Sequence, residues 1–168
     1  MRSSSYSPVH RVVEISAVAA VAVLSLFLLV RLCLAMQSSH LWLVGVAAVT
    51  GYVAADLISG LVHWICDTWG SPRTPVIGRS FIAPFREHHH DPESITRHDF
   101  IETNGNTAVA IGPVLVLACF IPPDAGAGVF GLAFVLFASL GVLATNQIHK
   151  WAHMDRRPRL VHCWSACG

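Results

Sequence analysis

The chain has 168 residues, of which 54% are hydrophobic and only 12% are charged. In a typical soluble domain about a quarter of the residues are charged, and the apolar residues here are concentrated in long blocks. The composition therefore predicts a membrane protein rather than a large soluble core. The formal net charge of +1 gives no electrostatic reason to expect nucleic-acid binding.

Four apolar runs predict an all-α integral membrane bundle of about four transmembrane helices. A membrane-spanning helix needs about 20 apolar residues, and the first run is too long for the apolar part of a cleaved signal peptide. The third run is short and contains Gly112 and Pro113, so we expect a kinked or tilted helix. The runs cover roughly residues 12–36, 41–65, 107–121 and 126–148.

The two ends of the chain differ from this membrane domain. Residues 1–11 are polar and rich in serine, and they are expected to form a disordered tail. Residues 12–155 are assigned to one membrane domain. Residues 156–168 are an atypical C-terminal end.

Lysines and arginines alternate between the two sides of the predicted bundle. They precede the first run, lie between the second and third, and follow the fourth, whereas the other two connections contain none. Only Arg31 breaks this pattern. By the positive-inside rule, both termini and the central loop face the cytoplasm. The same orientation places eight of the ten histidines on that side, with His40 opposite and His10 in the tail.

Two of the apolar runs end in pairs of metal-binding residue types. His63 and Asp67 are four residues apart at the end of the second run, and His149 and His153 are four apart at the end of the fourth. On a helix this spacing stacks two side chains on one face, one turn apart. Metal ligation or support of ligands is the favoured interpretation. The alternative is a set of interfacial histidines without a metal.

Further polar or small residues share these helix faces. Asp56 and Gly60 lie on the same predicted face as His63, and Asn146 precedes His149 on the fourth run. Polar groups inside hydrocarbon are costly, so they usually face the bundle interior or a cavity. Gly60 leaves room for a neighbouring helix or a substrate chain. Hydrogen bonding between helices is the alternative for Asp56.

The central loop is rich in further donors. Three of its histidines are consecutive, so on a helix at most two can serve one centre. Imidazole suits iron, copper and zinc, and the number of donors exceeds the needs of one tetrahedral zinc, which favours two metals, with iron as the first choice. An incidental polar run is the alternative. The donors are His88, His89, His90, His98, Asp99, Glu102, Asn104 and Asn106.

Other enzyme classes lack their signatures in this sequence. It contains no Walker loop, no G-x-G-x-x-G after a strand, no H-E-x-x-H and no G-x-S-x-G elbow. No cysteine is placed where a haem thiolate would require one.

Four stretches together resemble a known family of membrane enzymes. They are residues 56–71 (DLISGLVHWICDTWGS), 84–89 (PFREHH), 95–106 (ITRHDFIETNGN) and 146–153 (NQIHKWAH). In order and spacing they are similar to the plasmanylethanolamine desaturases, the Kua-type membrane lipid desaturases. The chloroplast relatives that desaturate acyl chains share the architecture, but residues 95–106 resemble the ether-lipid branch more closely.

The resemblance implies a non-haem centre of two irons that uses O2 and two electrons from an external donor, such as a cytochrome b5 or a ferredoxin. The substrate would be an ether phospholipid, whose 1-O-alkyl chain becomes the vinyl ether of a plasmalogen. The membrane would be a bacterial inner membrane or the endoplasmic reticulum, with the histidines on the cytosolic side. The implied iron ligands or close supports are His63, His88, His89, His98, His149 and His153, with Asp67 as the next candidate.

The resemblance also shows a departure at the C-terminus. His90 is left out of the ligand set, since other members often have another residue there. The family continues to a last histidine box, whereas this sequence ends at Gly168, so we expect a chain truncated before that box.

The alternatives to an ether-lipid desaturase are an acyl-lipid desaturase or hydroxylase of the same class and an inactive, truncated membrane remnant. The expected substrate-contacting or supporting residues are Asp56, Gly60, Asp99, Glu102, Asn106 and Asn146.

Overall fold

The computed structural model describes residues 7–154, and throughout this range the chain forms helices and short connections without a strand. The all-α prediction is therefore confirmed. The predicted C-terminal end, residues 156–168, and residues 1–6 of the predicted tail lie outside the described residues. The α-helices are α1 (Pro8–Ala35), α2 (Leu41–Thr68), α3 (Ala83–His90), α4 (Phe100–Ala118) and α5 (Gly126–Ala152).

Helix α1 begins inside the segment that was expected to be a disordered tail. Ser7 caps it, because its hydroxyl accepts a hydrogen bond from the backbone N–H of His10 at 3.1 Å, and Pro8 occupies the first turn. Serine at the cap and proline at the start both favour helix initiation. Residues 8–11 are therefore helical, which corrects the predicted boundary at residue 12.

Three helical segments are long and apolar enough to cross a bilayer, namely Pro8–Ala35, Ser38–Thr68 and Gly126–Ala152. Helix α4, which we expected as a further span over residues 107–121, is 19 residues long and begins earlier, at Phe100. It begins there because the Asp99 carboxylate accepts a hydrogen bond from the backbone N–H of Glu102 at 2.9 Å. The first turns of α4 therefore contain polar residues.

The helices pack as two principal pairs, α2 with α5 and α1 with α4, and α4 also contacts α5. Small residues let α2 and α5 approach closely. A Cβ atom at Gly51 would lie 3.0 Å from the backbone nitrogen of Ala138, and one at Gly141 would lie 2.7 Å from Cβ of Ala55. Close backbone approach at small residues is a common way for helices to associate in membranes.

Arg31, the exception to the predicted charge pattern, has a structural role. Its guanidinium donates hydrogen bonds to the carbonyl oxygens of Cys119, at 2.7 Å, and Ile121, at 3.0 Å. It also lies over the ring of Phe27, 5.7 Å from the ring centroid. The last carbonyls of a helix have no partner within the helix, so Arg31 satisfies groups just beyond the end of α4. Its position is explained by this contact.

The bundle has two chemically different ends. At one end, α2 and α5 finish, α4 begins and α3 lies across them. This end carries all the histidines that were predicted as ligands, and we call it the histidine end. The opposite end contains the connections between α1 and α2 and between α4 and α5, where His40 lies near Pro123 and Asp124.

Candidate metal centre

Arg86 fixes α3 against the end of α2. Its side chain donates to the carbonyl oxygens of Cys66, at 3.2 Å, and Gly70, at 3.0 Å. These carbonyls lie in the last turn of α2 and just beyond it, where intrahelical partners are missing. Gly70 has a φ of 76°, a conformation that glycine adopts without steric cost. The turn and the arginine together place the histidines of α3 over the end of the bundle.

One group of histidines joins α3 to the end of α5. The Nε2 atoms of His88 and His149 are 3.1 Å apart. The ring centroid of His88 lies 4.9 Å from that of His153, and the rings of His149 and His153 are 4.8 Å apart. Each of the three offers a nitrogen within 4.8 Å of the others, a spacing that one metal ion can bridge.

A second group joins α3 to the end of α2. One carboxylate oxygen of Asp67, Oδ2, lies 3.2 Å from Nε2 of His63 and 2.9 Å from Nε2 of His89. The ring centroids of His63 and His89 are 5.5 Å apart. The i,i+4 spacing of His63 and Asp67 on α2 therefore brings these side chains together as predicted, and α3 supplies the third donor.

The two groups lie side by side because consecutive residues of α3 serve different groups. His88 belongs to the first and His89 to the second, and their ring centroids are 6.4 Å apart. Neighbouring residues on a helix point about 100° apart, which explains the division. His90, the third of the run, is exposed and belongs to neither group.

The electrostatics of both groups suit a cation. Burial lowers the pKa of His88, and the nearby histidines 153, 63 and 89 lower it further. The neutral imidazole is the form that binds metal. In the second group, Oδ1 of Asp67 is buried and has no hydrogen-bond partner within the described residues. A buried oxygen without a partner calls for an explanation, and a bound cation provides one.

The donor set fits a pair of metal ions. Together the two groups contain five imidazoles and one carboxylate, and no thiolate takes part among the residues that the structure describes. Imidazole with carboxylate suits non-haem iron, and three ligands per metal leave positions open for reactants. Zinc accepts the same types of donor.

His98 and Asp99 lie beside these groups rather than in them. The carbonyl of His98 accepts a hydrogen bond from Nζ of Lys150, and His98 lines the same cavity as the ligand groups. The carboxylate of Asp99 caps α4 and receives a hydrogen bond from Arg11 at 3.0 Å. That hydrogen bond from Arg11 is the main reason why the pKa of Asp99 falls to about 2. The observed contacts of Asp99 connect α1 to α4.

Two predicted supporting residues connect elements around the site. The side-chain amide of Asn106 donates to the carbonyl of Ser80 at 2.7 Å, which fastens the loop before α3 to α4. The amide of Asn146 donates to the hydroxyl of Thr107 at 2.6 Å and so connects α5 to α4. Both side chains line the cavity, as does Glu102.

A large cavity extends from the ligand groups into the bundle. Its volume is about 1940 Å³, and His63, His88 and His149 line it at the histidine end. Its apolar lining on α5 continues to Phe134, fifteen residues before His149, which corresponds to about 22 Å of helix rise. One leaflet of the hydrocarbon core is about 15 Å thick. The cavity is therefore long enough to hold one lipid chain.

Asp56 and Gly60 line this cavity. Nothing lies within 4 Å of a Cβ atom built on Gly60. The glycine therefore leaves open space in the cavity and does not serve the close approach of a neighbouring helix. Asp56 is exposed to the cavity.

Sequence reasoning missed a buried carboxylate on α1. Glu14 is only 1% exposed, and its Oε1 lies 3.2 Å from Nε2 of His10. A Cβ atom at Gly105 of α4 would lie 2.5 Å from Glu14 Cβ, so the glycine makes space for the acid. An acidic residue early in an apolar run was the available signal, because polar groups within membrane helices usually face an interior.

Comparison with known proteins places the chain in a family. Residues 52–168 match the model of the lipid desaturase domain. The chain is 45% identical over 159 residues to the plasmanylethanolamine desaturase of Myxococcus xanthus, covering 95% of this chain and 56% of that protein. It is 44% identical over 153 residues to plasmanylethanolamine desaturase 1 of Mus musculus, covering 88% of this chain and 56% of that protein.

A plant protein matches more distantly. The chain is 37% identical over 128 residues to the chloroplastic fatty acid desaturase 4 of Arabidopsis thaliana, covering 73% of this chain and 38% of that protein. No solved structure matches the chain significantly. The chain thus spans slightly more than half the length of the two plasmanylethanolamine desaturases.

The helical fold and these similarities define the family of the chain. The chain belongs to the lipid desaturase family, within which it resembles the plasmanylethanolamine desaturases, and the resemblance read from its motifs is confirmed.

Proposed function

We propose that the chain is an ether-lipid desaturase that introduces the vinyl-ether double bond of plasmalogens at a centre of two non-haem irons. The observation that carries this proposal is the division of His88 and His89 between two adjacent groups of three donors at one end of a cavity long enough for a lipid chain. The relatives named plasmanylethanolamine desaturase support the choice of substrate.

The residues that would hold the metals are assigned by group. His88, His149 and His153 would hold one iron, and His63, Asp67 and His89 the other. His98 stays a candidate ligand or support, since it lines the same cavity. When bound, the irons would supply the O2-dependent oxidation of an unactivated C–H bond, which no side chain performs by itself.

The protein would position the substrate and exclude water from the site. The alkyl chain would lie between α2, α4 and α5 with its first carbons at the histidines, and the apolar lining would exclude water. Gly60 leaves the space for that chain beside His63. One oxygen of Asp67 lies against both histidines of its group, so the three donors are gathered around one point.

The proposed reaction needs an electron donor. Removal of one hydrogen from each of the first two carbons of the alkyl chain forms the double bond. O2 accepts those two hydrogens together with two external electrons and two protons, and two waters form. A soluble or membrane-bound carrier such as a cytochrome b5 or a ferredoxin would supply the electrons.

The proposed setting is a bacterial inner membrane or the endoplasmic reticulum, with the histidine end on the cytosolic side. The distribution of lysine and arginine supports this orientation, because they concentrate at that end of the chain's helices. Arg31, near the opposite end, is compatible with this orientation because its guanidinium donates hydrogen bonds to two carbonyls. The cytosolic side would also give an electron carrier access to the metals.

A direct test is expression of this chain in cells that lack plasmalogens, followed by measurement of vinyl-ether lipids by mass spectrometry. We expect vinyl-ether phosphoethanolamine lipids to appear, and about two irons per purified chain. A full-length relative expressed in parallel is the control. Near-zero iron and no product, with the relative active, would show that this polypeptide is an inactive remnant.

A second candidate function is desaturation or hydroxylation of an acyl chain, favoured by the similarity to fatty acid desaturase 4. The same ligand groups would serve, and only the position of the oxidised chain would differ. Supplying 1-O-alkyl and 1-acyl lipids separately distinguishes the two. Oxidation of the acyl lipid alone would replace the ether-lipid proposal.

A further inference from the structure

Among residues 7–154, the arginines of the histidine end fall into two kinds. Arg86 is occupied by carbonyls beyond α2, Arg97 pairs with Asp91, and Arg11 pairs with Asp99. The guanidinium groups of Arg73 and Arg79 make no hydrogen bond and no ion pair with any residue in the range 7–154. Both line the large cavity, whereas the three paired arginines do not.

The loop between α2 and α3 brings the backbone beside Arg79 close to the backbone beside Arg73. A Cβ atom at Gly78 would lie 2.6 Å from the carbonyl oxygen of Pro72, so the backbone next to Arg79 crosses directly over the backbone next to Arg73. Only glycine allows this crossing, because any side chain at position 78 would meet backbone. Between them, Val76 has a φ of 68°, which reverses the chain.

This loop is fastened at several points, so the two arginines have a defined position. Ser71 accepts a hydrogen bond from the backbone of residue 73, and its own N–H donates to the hydroxyl of Thr74 at 2.9 Å. Asn106 of α4 holds the carbonyl of Ser80 at 2.7 Å. A fixed loop is a better anion receptor than a mobile one, since less conformational freedom is lost on binding.

Neither guanidinium has a carboxylate partner among residues 7–154, so an anion at this edge of the cavity would meet two cations that no acidic side chain neutralises. A phosphate is the anion that guanidinium groups match best, because each can donate two parallel hydrogen bonds to it. The phosphate would lie at the same cavity as the apolar chain. A molecule that carries both a phosphate and a long apolar chain is a glycerophospholipid.

From these observations we infer that Arg73 and Arg79 bind the phosphodiester of the lipid whose chain occupies the cavity. This inference rests on the proposed function and adds a determinant of its substrate. The arginines fix the headgroup, and so they set which carbons of the chain reach the histidines. A chain attached to glycerol without a phosphate would enter the cavity without this anchor.

Binding of an unreactive lipid tests the inference separately from catalysis. The probe is 1,2-diacyl-glycerophosphoethanolamine, which contains no ether to oxidise, and 1,2-diacylglycerol is its phosphate-free match. The variants are Arg73→Gln, Arg79→Gln and the double variant, and Arg97→Gln is the matched control from the same end of the molecule. Affinities are measured by native mass spectrometry of the full chain released from detergent micelles.

We expect each single variant to bind the phospholipid about tenfold more weakly, the double variant more weakly still, and diacylglycerol binding to stay unchanged. Competition by inorganic phosphate would then distinguish a free-anion site from a lipid site, since only a lipid site prefers the phospholipid strongly over phosphate.

Three results would overturn the inference: no saturable phospholipid binding by the wild type, unchanged affinity in the double variant, or an equal loss in Arg97→Gln. The last would mean that arginines at this end contact bulk headgroups without selecting a substrate. Failure to form a vinyl ether while the arginine-dependent binding persists would count against the proposed function alone.

Discussion

The two ends of this bundle use polar residues for opposite purposes. At the opposite end, the guanidinium of Arg31 donates to two carbonyls and completes the hydrogen bonding of the backbone. At the histidine end, imidazoles face imidazoles, and Oδ1 of Asp67 is buried without a partner in the described part of the chain. Polar groups that are hydrogen-bonded within the protein stabilise the fold. Side chains whose metal-binding atoms face one another can bind a ligand between them. We therefore expect the first end to serve stability and the second to serve binding.

The largest effect should follow removal of a ligand at the histidine end. His88→Ala and His63→Ala each take one donor from a different group, so each should lower the iron content by about one ion per chain and vinyl-ether formation at least about 100-fold. Metal analysis and lipid mass spectrometry measure the two outcomes.

His90→Ala is the matched control, because His90 adjoins the same run and belongs to neither group. It should keep both irons and its activity. Retention of full metal content in His88→Ala would contradict the division into two groups.

A smaller effect, on stability, should follow crowding of the seam between α2 and α5. In Gly141→Leu the new side chain meets Ala55, since a Cβ atom alone would lie 2.7 Å from Cβ of that residue. Overpacking should lower the free energy of unfolding by about 3 kcal/mol. Gly45→Leu is the control, as a Cβ there meets nothing within 4 Å. Unfolding in mixed micelles with increasing sodium dodecyl sulfate measures the difference, and equal destabilisation of both variants would refute this account of the seam.

Removal of the arginine at the opposite end should cost somewhat less. Arg31→Met leaves the carbonyls of Cys119 and Ile121 without their charged donor, and we expect a loss of about 2 kcal/mol. Arg97→Met removes only an exposed pair with Asp91 and should cost less than about 1 kcal/mol. The same unfolding titration compares the two. The iron content of Arg31→Met should equal that of the wild type, and a loss of iron would show that the ends are not independent.

The smallest effect should separate the two contacts of Asp99. Asp99→Ala removes the cap of α4 and the ion pair with Arg11, and we expect a loss of about 1 kcal/mol. Asp99→Asn keeps a good capping residue and loses only the pair, so its stability should stay within about 0.5 kcal/mol of the wild type. If Asp99→Asn proves as unstable as Asp99→Ala, the ion pair rather than the cap determines how α4 is held.

Much of the site could be predicted because local spacing determines it. An i,i+4 pair shares a helix face wherever the helix lies, so His63 with Asp67 and His149 with His153 followed from the sequence. The start of α4 did not, because its apolar signal begins only after the polar turns that Asp99 caps. Glu14 was also missed, since its burial depends on Gly105 of another helix.

The sequence by itself determined that this is an all-α membrane protein with metal-binding residue types gathered at one end, because composition, hydrophobic run length and helical spacing are local properties. Only the tertiary structure decided how those donors divide. His88 and His89 are adjacent in the chain, and the positions of α2 and α5 on either side of α3 assign one to each group. The same holds for the guanidinium groups. The sequence shows where the arginines stand in the chain, but only packing decides which of them bond to protein groups and which line the cavity without a partner.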